Sequence, residues 1–261
     1  GGGAEEVGVV EGGEVAVDLA ASAGAVASQE AGLGGDSDMA PISVDQFGER
    51  LGAALGGRLV TLLLYGSAAR EHGARNTEQM AMNTLLIVDR IDADVFDQIA
   101  ATVGEWMSAK HPAPLVMTEQ EWRASADAFP VEYDDIRAHH RVLAGRDPWD
   151  GILVKREHVR RQLEHELKGK LMHLRQAYAA EWKRPKRLTE VVRGTWAGFL
   201  TMLRAVLRLA GRDVPASADA LVRDAAALIG FSVERLTEPT GYLDAVTRTA
   251  QYVDRMERNP S

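Results

Sequence analysis

The chain has 261 residues, of which 46% are hydrophobic, and its formal net charge is −8. This length and composition allow one large domain or two ordinary ones with a real core. The absence of cysteine excludes disulfides, thiolate zinc sites and a cysteine nucleophile, and no stretch approaches the ~20 consecutive apolar residues that a membrane helix needs. We therefore expect a cytoplasmic protein without a membrane partner.

The acidity is concentrated at the N-terminus. Residues 1–38 contain eight acids and ten glycines, and they contain no Lys, Arg, His, aromatic residue or proline. Such a segment buries too little apolar surface to offset the entropy of ordering, so we predict a disordered tail that is not a secretory signal. The composition changes at Met39, and an upstream extension of the native start is a further hypothesis. The rest of the chain has 30 acids and 30 Lys and Arg, which argues against a nucleic-acid partner.

Residues 39–150 alternate between helix and strand patterns. Capping pairs predict where helices begin, and continuous apolar runs predict strands that are buried on both faces. The predicted elements, in chain order, are a helix capped by Ser43 and Gln46, a strand at 59–65, a strand at 84–89, a helix at 92–110, a strand at 115–117, a helix capped by Thr118 and Glu121, a short helix or irregular edge at 131–136, and a strand at 141–144. This alternation predicts an α/β domain with a mixed sheet.

Residues 151–261 carry helical patterns almost without strand signals. Four amphipathic stripes fall at 159–182, 189–210, 217–229 and 240–256, joined by short Gly- and Pro-containing connections. They predict an antiparallel four-helix bundle, and the whole chain is therefore expected to be an α+β protein. The basic run from Lys183 to Arg187 is expected in the turn between the first two helices, where a solvated loop is favoured over a phosphate site.

The most informative motif is an apolar strand that ends in Gly66 and Ser67, followed by Arg70 and by a second apolar strand from Met82 to Val88. Residues 44–145 resemble the DNA polymerase beta-like nucleotidyltransferase superfamily, specifically its small bacterial members related to kanamycin nucleotidyltransferase. The resemblance implies that Gly66 and Ser67 hold the triphosphate of a nucleotide. It also implies that Arg70, one turn later, reaches a phosphate.

The same resemblance exposes a loss. The family opens its second strand with two acids at i and i+2, which point to one face of the strand and share a pair of Mg²⁺ ions, and it adds a third acid on a later strand. Here those positions hold Met82 and Thr84 or, with a shift of one residue, Ala81 and Asn83, and the strand at 115–117 has no acid. We therefore predict a pseudoenzyme that binds a nucleotide or a protein partner, with no catalytic residue, metal ligand or cofactor.

Two other hypotheses stay open. An active nucleotidyltransferase would need rearranged Mg²⁺ ligands, and the acids considered for that role are Glu119, Glu121, Glu132, Asp134 and Asp135. Helix capping accounts for Glu121, and a solvated turn is the expected setting of the other three near 132–135. A structural module of a toxin–antitoxin-like pair would use the bundle as a homodimer interface. Arg160 and His165 have the spacing of a nuclease motif found in some helical bundles, and we interpret that match as chance.

Overall fold

The computed structural model describes residues 41–70 and 81–256, so the predictions for the acidic tail and for Met39 lie outside the described residues. Regular elements there alternate between helix and strand up to residue 145 and are helical afterwards. In chain order they are α1 (Val44–Leu55), β1 (Leu59–Tyr65), α2 (Ser67–Arg70), β2 (Asn83–Val88), α3 (Ala93–Ser108), β3 (Leu115–Thr118), α4 (Glu119–Ala124), α5 (Pro130–Ala138), β4 (His140–Gly145), α6 (Arg156–Glu181), α7 (Pro185–Leu209), α8 (Ala218–Ile229) and α9 (Pro239–Met256).

The four strands form one mixed sheet in the order β3-β2-β1-β4. β1 pairs antiparallel with both β2 and β4, and β2 pairs parallel with β3. The central position of β1 follows from its sequence, since a continuous apolar run suits a strand whose two faces are both covered. The antiparallel pairing brings the end of β1 next to the start of β2, and this edge of the sheet carries the motif residues.

Each face of the sheet packs against its own set of helices. On one face, Leu62 and Leu86 contact side chains of α1 and α3 that include the fully buried Phe47 and Trp106. Those two rings stack with centroids 4.2 Å apart. On the other face, Leu63, Tyr65, Leu85 and Ile87 lie against an aromatic group made of Trp122, Tyr133 and Trp149.

The helices after residue 155 share a separate core. Buried side chains from α6, α7, α8 and α9 form one cluster, which Val131 of α5 joins. Helix α5 therefore belongs to both parts of the molecule, because its Tyr133 lies in the core under the sheet. Within the described residues no helix is long and apolar enough to cross a membrane.

The predicted α+β class, with a mixed sheet followed by helices, is confirmed. The capping boxes at Ser43 and Thr118 are present as predicted, and the segment that was open between helix and irregular edge is the helix α5. The prediction for the basic run was wrong in part. Pro185 begins α7, so Lys186 and Arg187 lie in its first turn, as the fixed backbone angle of proline at a first helical position allows.

Candidate functional site

Gly66 and Ser67 lie beside the start of β2. The register pairs Tyr65 with Asn83 and Leu64 with Thr84, so the chain that leaves β1 passes the entrance of β2. Gly66 has a φ of +78°, a conformation that favours glycine, and a Cβ at this position would lie 3.4 Å from the Nδ2 atom of Asn83. The structure thus brings Gly66, Ser67 and Asn83 together at one edge of the sheet.

Met82 and Thr84, where the family resemblance expects its first two acids, belong to the opposite face. Side chains alternate along a strand, and Met82 packs against the same cluster as Leu86 and Val88, under α1 and α3. Thr84 is 1% exposed, and its hydroxyl is buried without a hydrogen-bond partner among the described residues. A carboxylate there would be buried in apolar surroundings, which is costly. The residue beside Gly66 is therefore Asn83, which belongs to the shifted register.

Arg70, at the end of α2, is held by an acid. Its Nη1 atom donates to Oδ2 of Asp135 over 3.0 Å, and the two side chains are only 7% and 13% exposed. Arg208 of α7 donates from Nη2 to the other Asp135 oxygen over 3.1 Å and from Nε to Asp134. The role of Arg70 in phosphate binding stays a prediction, and any phosphate that reaches it competes with Asp135.

The acids near 132–135 do not form a solvated turn, and that expectation was wrong. They lie on α5, where Glu132 is 8% exposed and Asp135 faces two arginines. The pattern was misleading because the partners that bury these acids come from α6 and α7, far along the chain. Gln162 of α6 donates from Nε2 to a Glu132 oxygen over 2.8 Å.

Glu132 also acts on the end of β1. Burial raises the pKa of Tyr65 to about 12, and the charge of Glu132 adds to that rise. The phenol belongs to the last residue of β1, directly before Gly66. Of the acids considered as substitute metal ligands, Asp135 is hydrogen-bonded to Arg70, and Glu132 acts on Tyr65 through its charge.

Glu119 and Glu121 are occupied elsewhere. Glu121 accepts from the Thr118 backbone N–H over 2.7 Å and closes the predicted capping box. Glu119 is hydrogen-bonded to Arg146 and Arg123, and these bonds lower its pKa. In the part of the chain that the structure describes, no group of three or more His, Asp or Glu is arranged to hold a metal ion. The expected absence of metal ligands remains a prediction, since residues 71–80, which contain two further acids, Glu71 and Glu78, lie outside the described residues.

Two adjacent histidines at the start of β4 were missed by the sequence analysis. His140 pairs with Tyr65, accepts from Trp149 Nε1 at its Nε2 atom over 3.2 Å, and has its Nδ1 atom 2.9 Å from the Ile136 carbonyl oxygen. Because the Trp149 Nε1–H is a donor only, Nε2 of His140 accepts this hydrogen bond, and Nδ1 is the atom placed to donate to the Ile136 carbonyl. His139 lies near Arg70. The sequence signal that could have drawn attention to them is two adjacent histidines just where the predicted strand at 141–144 begins.

A separate open cleft of 430 Å³ lies between α6 and the connection before α5. Its lining residues are Asp127, Ala128, His158, Arg161, Gln162 and His165. His165 thus faces a cleft, whereas Arg160 is ion-paired with Glu164 over 2.8 Å on the same helix. Helix geometry therefore explains both residues of the motif match: Arg160 forms an i,i+4 salt bridge, and His165 is a surface histidine.

No protein family matches the chain, and no curated protein matches it. Among solved structures, the chain is similar to a spectinomycin adenyltransferase from Enterococcus faecialis that was crystallised with ATP and spectinomycin. The identity is 12% and the TM-score 0.46, over 81% of this chain and 96% of that one. A similarity of this extent does not assign the chain to a family.

Proposed function

We propose that this chain is a nucleotidyltransferase-like protein that binds a nucleoside triphosphate at the Gly66 edge and does not perform the two-metal transfer. One observation carries the proposal. The antiparallel register sets Gly66 and Ser67 beside Asn83 and turns Met82 and Thr84 toward the apolar core. The edge therefore has groups that suit a phosphate and lacks the carboxylates that suit a magnesium pair.

The binding chemistry follows from three groups. Gly66 has no side chain, so its backbone is open to close approach by a ligand. Ser67 is partly exposed and has a hydroxyl that donates one hydrogen bond, and the Asn83 amide donates two. Arg70, three residues after Ser67, adds a positive charge, which suits phosphate oxygens.

The argument against transfer rests on the acids near this edge. Magnesium is usually held by at least one carboxylate together with substrate phosphates. In the described ranges, Asp135 is bound by Arg70 and Arg208, and Glu132 accepts from Gln162. Both carboxylates are therefore already occupied, and each would have to exchange its present partner for the ion.

Calorimetry with the four nucleoside triphosphates, with and without Mg²⁺, tests the binding. We expect an affinity that changes little when Mg²⁺ is removed. Ser67→Ala and Asn83→Ala should each weaken binding by about tenfold, because each removes a hydrogen bond to a charged group. Ser108→Ala is the matched control, since Ser108 is exposed at the end of α3 and donates to the Gly104 carbonyl. Absence of binding at millimolar nucleotide would refute the proposal.

The active-enzyme alternative is favoured by one observation, which is that the charge of Glu132 helps to raise the pKa of Tyr65, the last residue of β1. A radiolabelled nucleotide assay with Mg²⁺ separates the two functions. Transfer of label to a small molecule or to a protein, lost in Glu132→Gln, would establish the alternative. A homodimer or a tightly bound protein partner, measured together with no nucleotide affinity, would instead support the interaction module.

A further inference from the structure

Six charged or titratable side chains interact where the sheet adjoins the helical half of the molecule, four of them through ion pairs and the other two, His139 and Arg204, through their charges. They come from α2, α5, α7 and the residue before β4, and we call them the arginine cluster. Its members are Arg70, Asp134, Asp135, His139, Arg204 and Arg208. Arg204 and Arg208 are one turn apart on α7 and therefore project from the same side of that helix.

Asp135 sits between two guanidinium groups. Arg70 Nη1 donates to one of its oxygens over 3.0 Å, and Arg208 Nη2 donates to the other over 3.1 Å. All three side chains are at most 16% exposed. Guanidinium groups bind the oxygens of a phosphate in the same way that they bind those of a carboxylate, with planar N–H donors directed at two oxygens.

Polar atoms beside Asp135 have hydrogen-bonding capacity that the described residues do not use. Nη1 of Arg208 and Nδ1 of His139 are buried without hydrogen-bond partners there. An arginine N–H is always a donor, and leaving a buried donor unpaired is costly. Burial lowers the pKa of His139, and the charges of Arg70, Arg208 and Arg204 lower it further, which locates the ring within the field of the cluster.

We propose that the arginine cluster is a binding site for a phosphate-type oxyanion, and that the Asp135 carboxylate competes with this oxyanion for Arg70 and Arg208. A tetrahedral anion has more acceptor oxygens than a carboxylate. It therefore satisfies the two donors that Asp135 now engages together with Nη1 of Arg208. The proposal deepens the nucleotide function and rests on it in one respect, which is that Arg70 belongs to both sites.

The oxyanion can be the terminal phosphate of a nucleotide or a free pyrophosphate. A nucleotide held at Ser67 would extend its phosphates along α2 toward Arg70 and so connect the sheet with α7. Free pyrophosphate needs only the cluster. The two sources are distinguished by measuring inorganic pyrophosphate and a nucleoside triphosphate separately on the same variants.

Asp135→Asn is the decisive variant. It keeps the shape of the side chain and removes the competing charge, so the affinity for inorganic pyrophosphate should rise by about tenfold, the size expected when one charged hydrogen-bond competitor is lost. Asp244→Asn is the matched control, because Asp244 forms an equivalent Arg–Asp pair with Arg248 on the exposed surface of α9. Calorimetry and thermal unfolding are measured in full-length protein at constant ionic strength.

The Arg208→Lys variant provides a second test of the oxyanion site. It retains the positive charge and loses the planar fork, so pyrophosphate binding should weaken by about tenfold, while Arg248→Lys leaves it unchanged. If Asp135 were only a structural partner, Asp135→Asn would lower the unfolding temperature and pyrophosphate would not raise it again. That result, or equal pyrophosphate binding by the Arg208→Lys variant and the wild-type chain, would overturn the proposal.

The two proposals fail separately. Ser67→Ala should weaken nucleotide binding and leave pyrophosphate binding intact, because the serine belongs only to the Gly66 edge. Pyrophosphate binding by a chain that binds no nucleotide would refute the proposed function and support the oxyanion site at the arginine cluster. The opposite outcome is a chain that pyrophosphate does not stabilise and that binds nucleotide equally well with and without Asp135→Asn and Arg208→Lys. It would support the proposed function and refute the oxyanion site at the arginine cluster.

Discussion

The position at which a carboxylate can be introduced into β2 follows from the alternation of its side chains. Thr84 faces the core under α1 and α3 and is 1% exposed, whereas Asn83 is partly exposed beside Gly66. An acid at position 84 would be buried, whereas one at position 83 stays near solvent. We therefore predict that Thr84→Asp destabilises the protein strongly and that Asn83→Asp is tolerated.

The magnitudes can be worked from the surroundings of each side chain. An unpaired buried charge costs several kcal/mol, which is a large part of the ~5–15 kcal/mol that stabilises a typical domain. The Thr84 hydroxyl is already buried without a partner in the described part of the chain, so Thr84→Val removes a penalty of about 1–3 kcal/mol and should stabilise the fold. Asn83→Asp should change the unfolding free energy by less than about 1 kcal/mol, as expected for a partly exposed position.

Guanidinium chloride unfolding of the three full-length variants measures these differences. Thr84→Asp should shift the midpoint well below that of the wild-type chain, and Thr84→Val should shift it upward. The reasoning is refuted if Thr84→Asp is as stable as Thr84→Val. The Asn83→Asp protein also gives a functional readout, because a carboxylate beside Gly66 should make nucleotide affinity dependent on Mg²⁺.

Three further predictions concern stability. Gly145→Ala should cost at least about 1–3 kcal/mol, because its φ is +82° and the added Cβ would lie 2.3 Å from a backbone oxygen, whereas Gly211→Ala, where no atom lies within 4 Å, should lose only the cost of its positive φ. Trp106→Ala should cost about 3–5 kcal/mol in chemical unfolding, since the ring is fully buried. Burial lowers the pKa of His111 and of His139, so the unfolded chain binds more protons and stability should fall as the pH drops below about 6.5. Replacing both histidines with Gln should flatten that dependence between pH 7.5 and 5.5, and an unchanged slope would contradict the assignment.

Local signals in the sequence were sufficient for much of the fold. The capping boxes at Ser43 and Thr118 begin helices where predicted, and β1 covers the predicted residues from Leu59 to Tyr65. These features are decided by neighbours within a few residues, so a single sequence contains them. The strand β2 was predicted one residue late, a normal uncertainty for a strand end, but that residue is Asn83, which lies at the candidate site.

The environment of the acids on α5 could not be predicted in the same way. Glu132 and Asp135 look like residues of a polar turn because their neighbours in the sequence are also polar. Their partners are Gln162 and Arg208, which are 30 and 73 residues away. A pattern within one segment contains no information about such pairs, and the mistake therefore fell on the residues that connect the two halves of the molecule.

The ion pairs between α5 and α7 affect how Gly66 and Ser67 should be interpreted. If Gly66 and Ser67 were only remnants of an active site, the cation next to them would have no reason to stay buried against an acid from another element. Arg70 is instead part of a network with Asp135 and Arg208, so its position is stabilised independently of any ligand. The contacts that hold Arg70 also hold α5 against α7, so the position of Arg70 is preorganised whether or not acids stand at the start of β2.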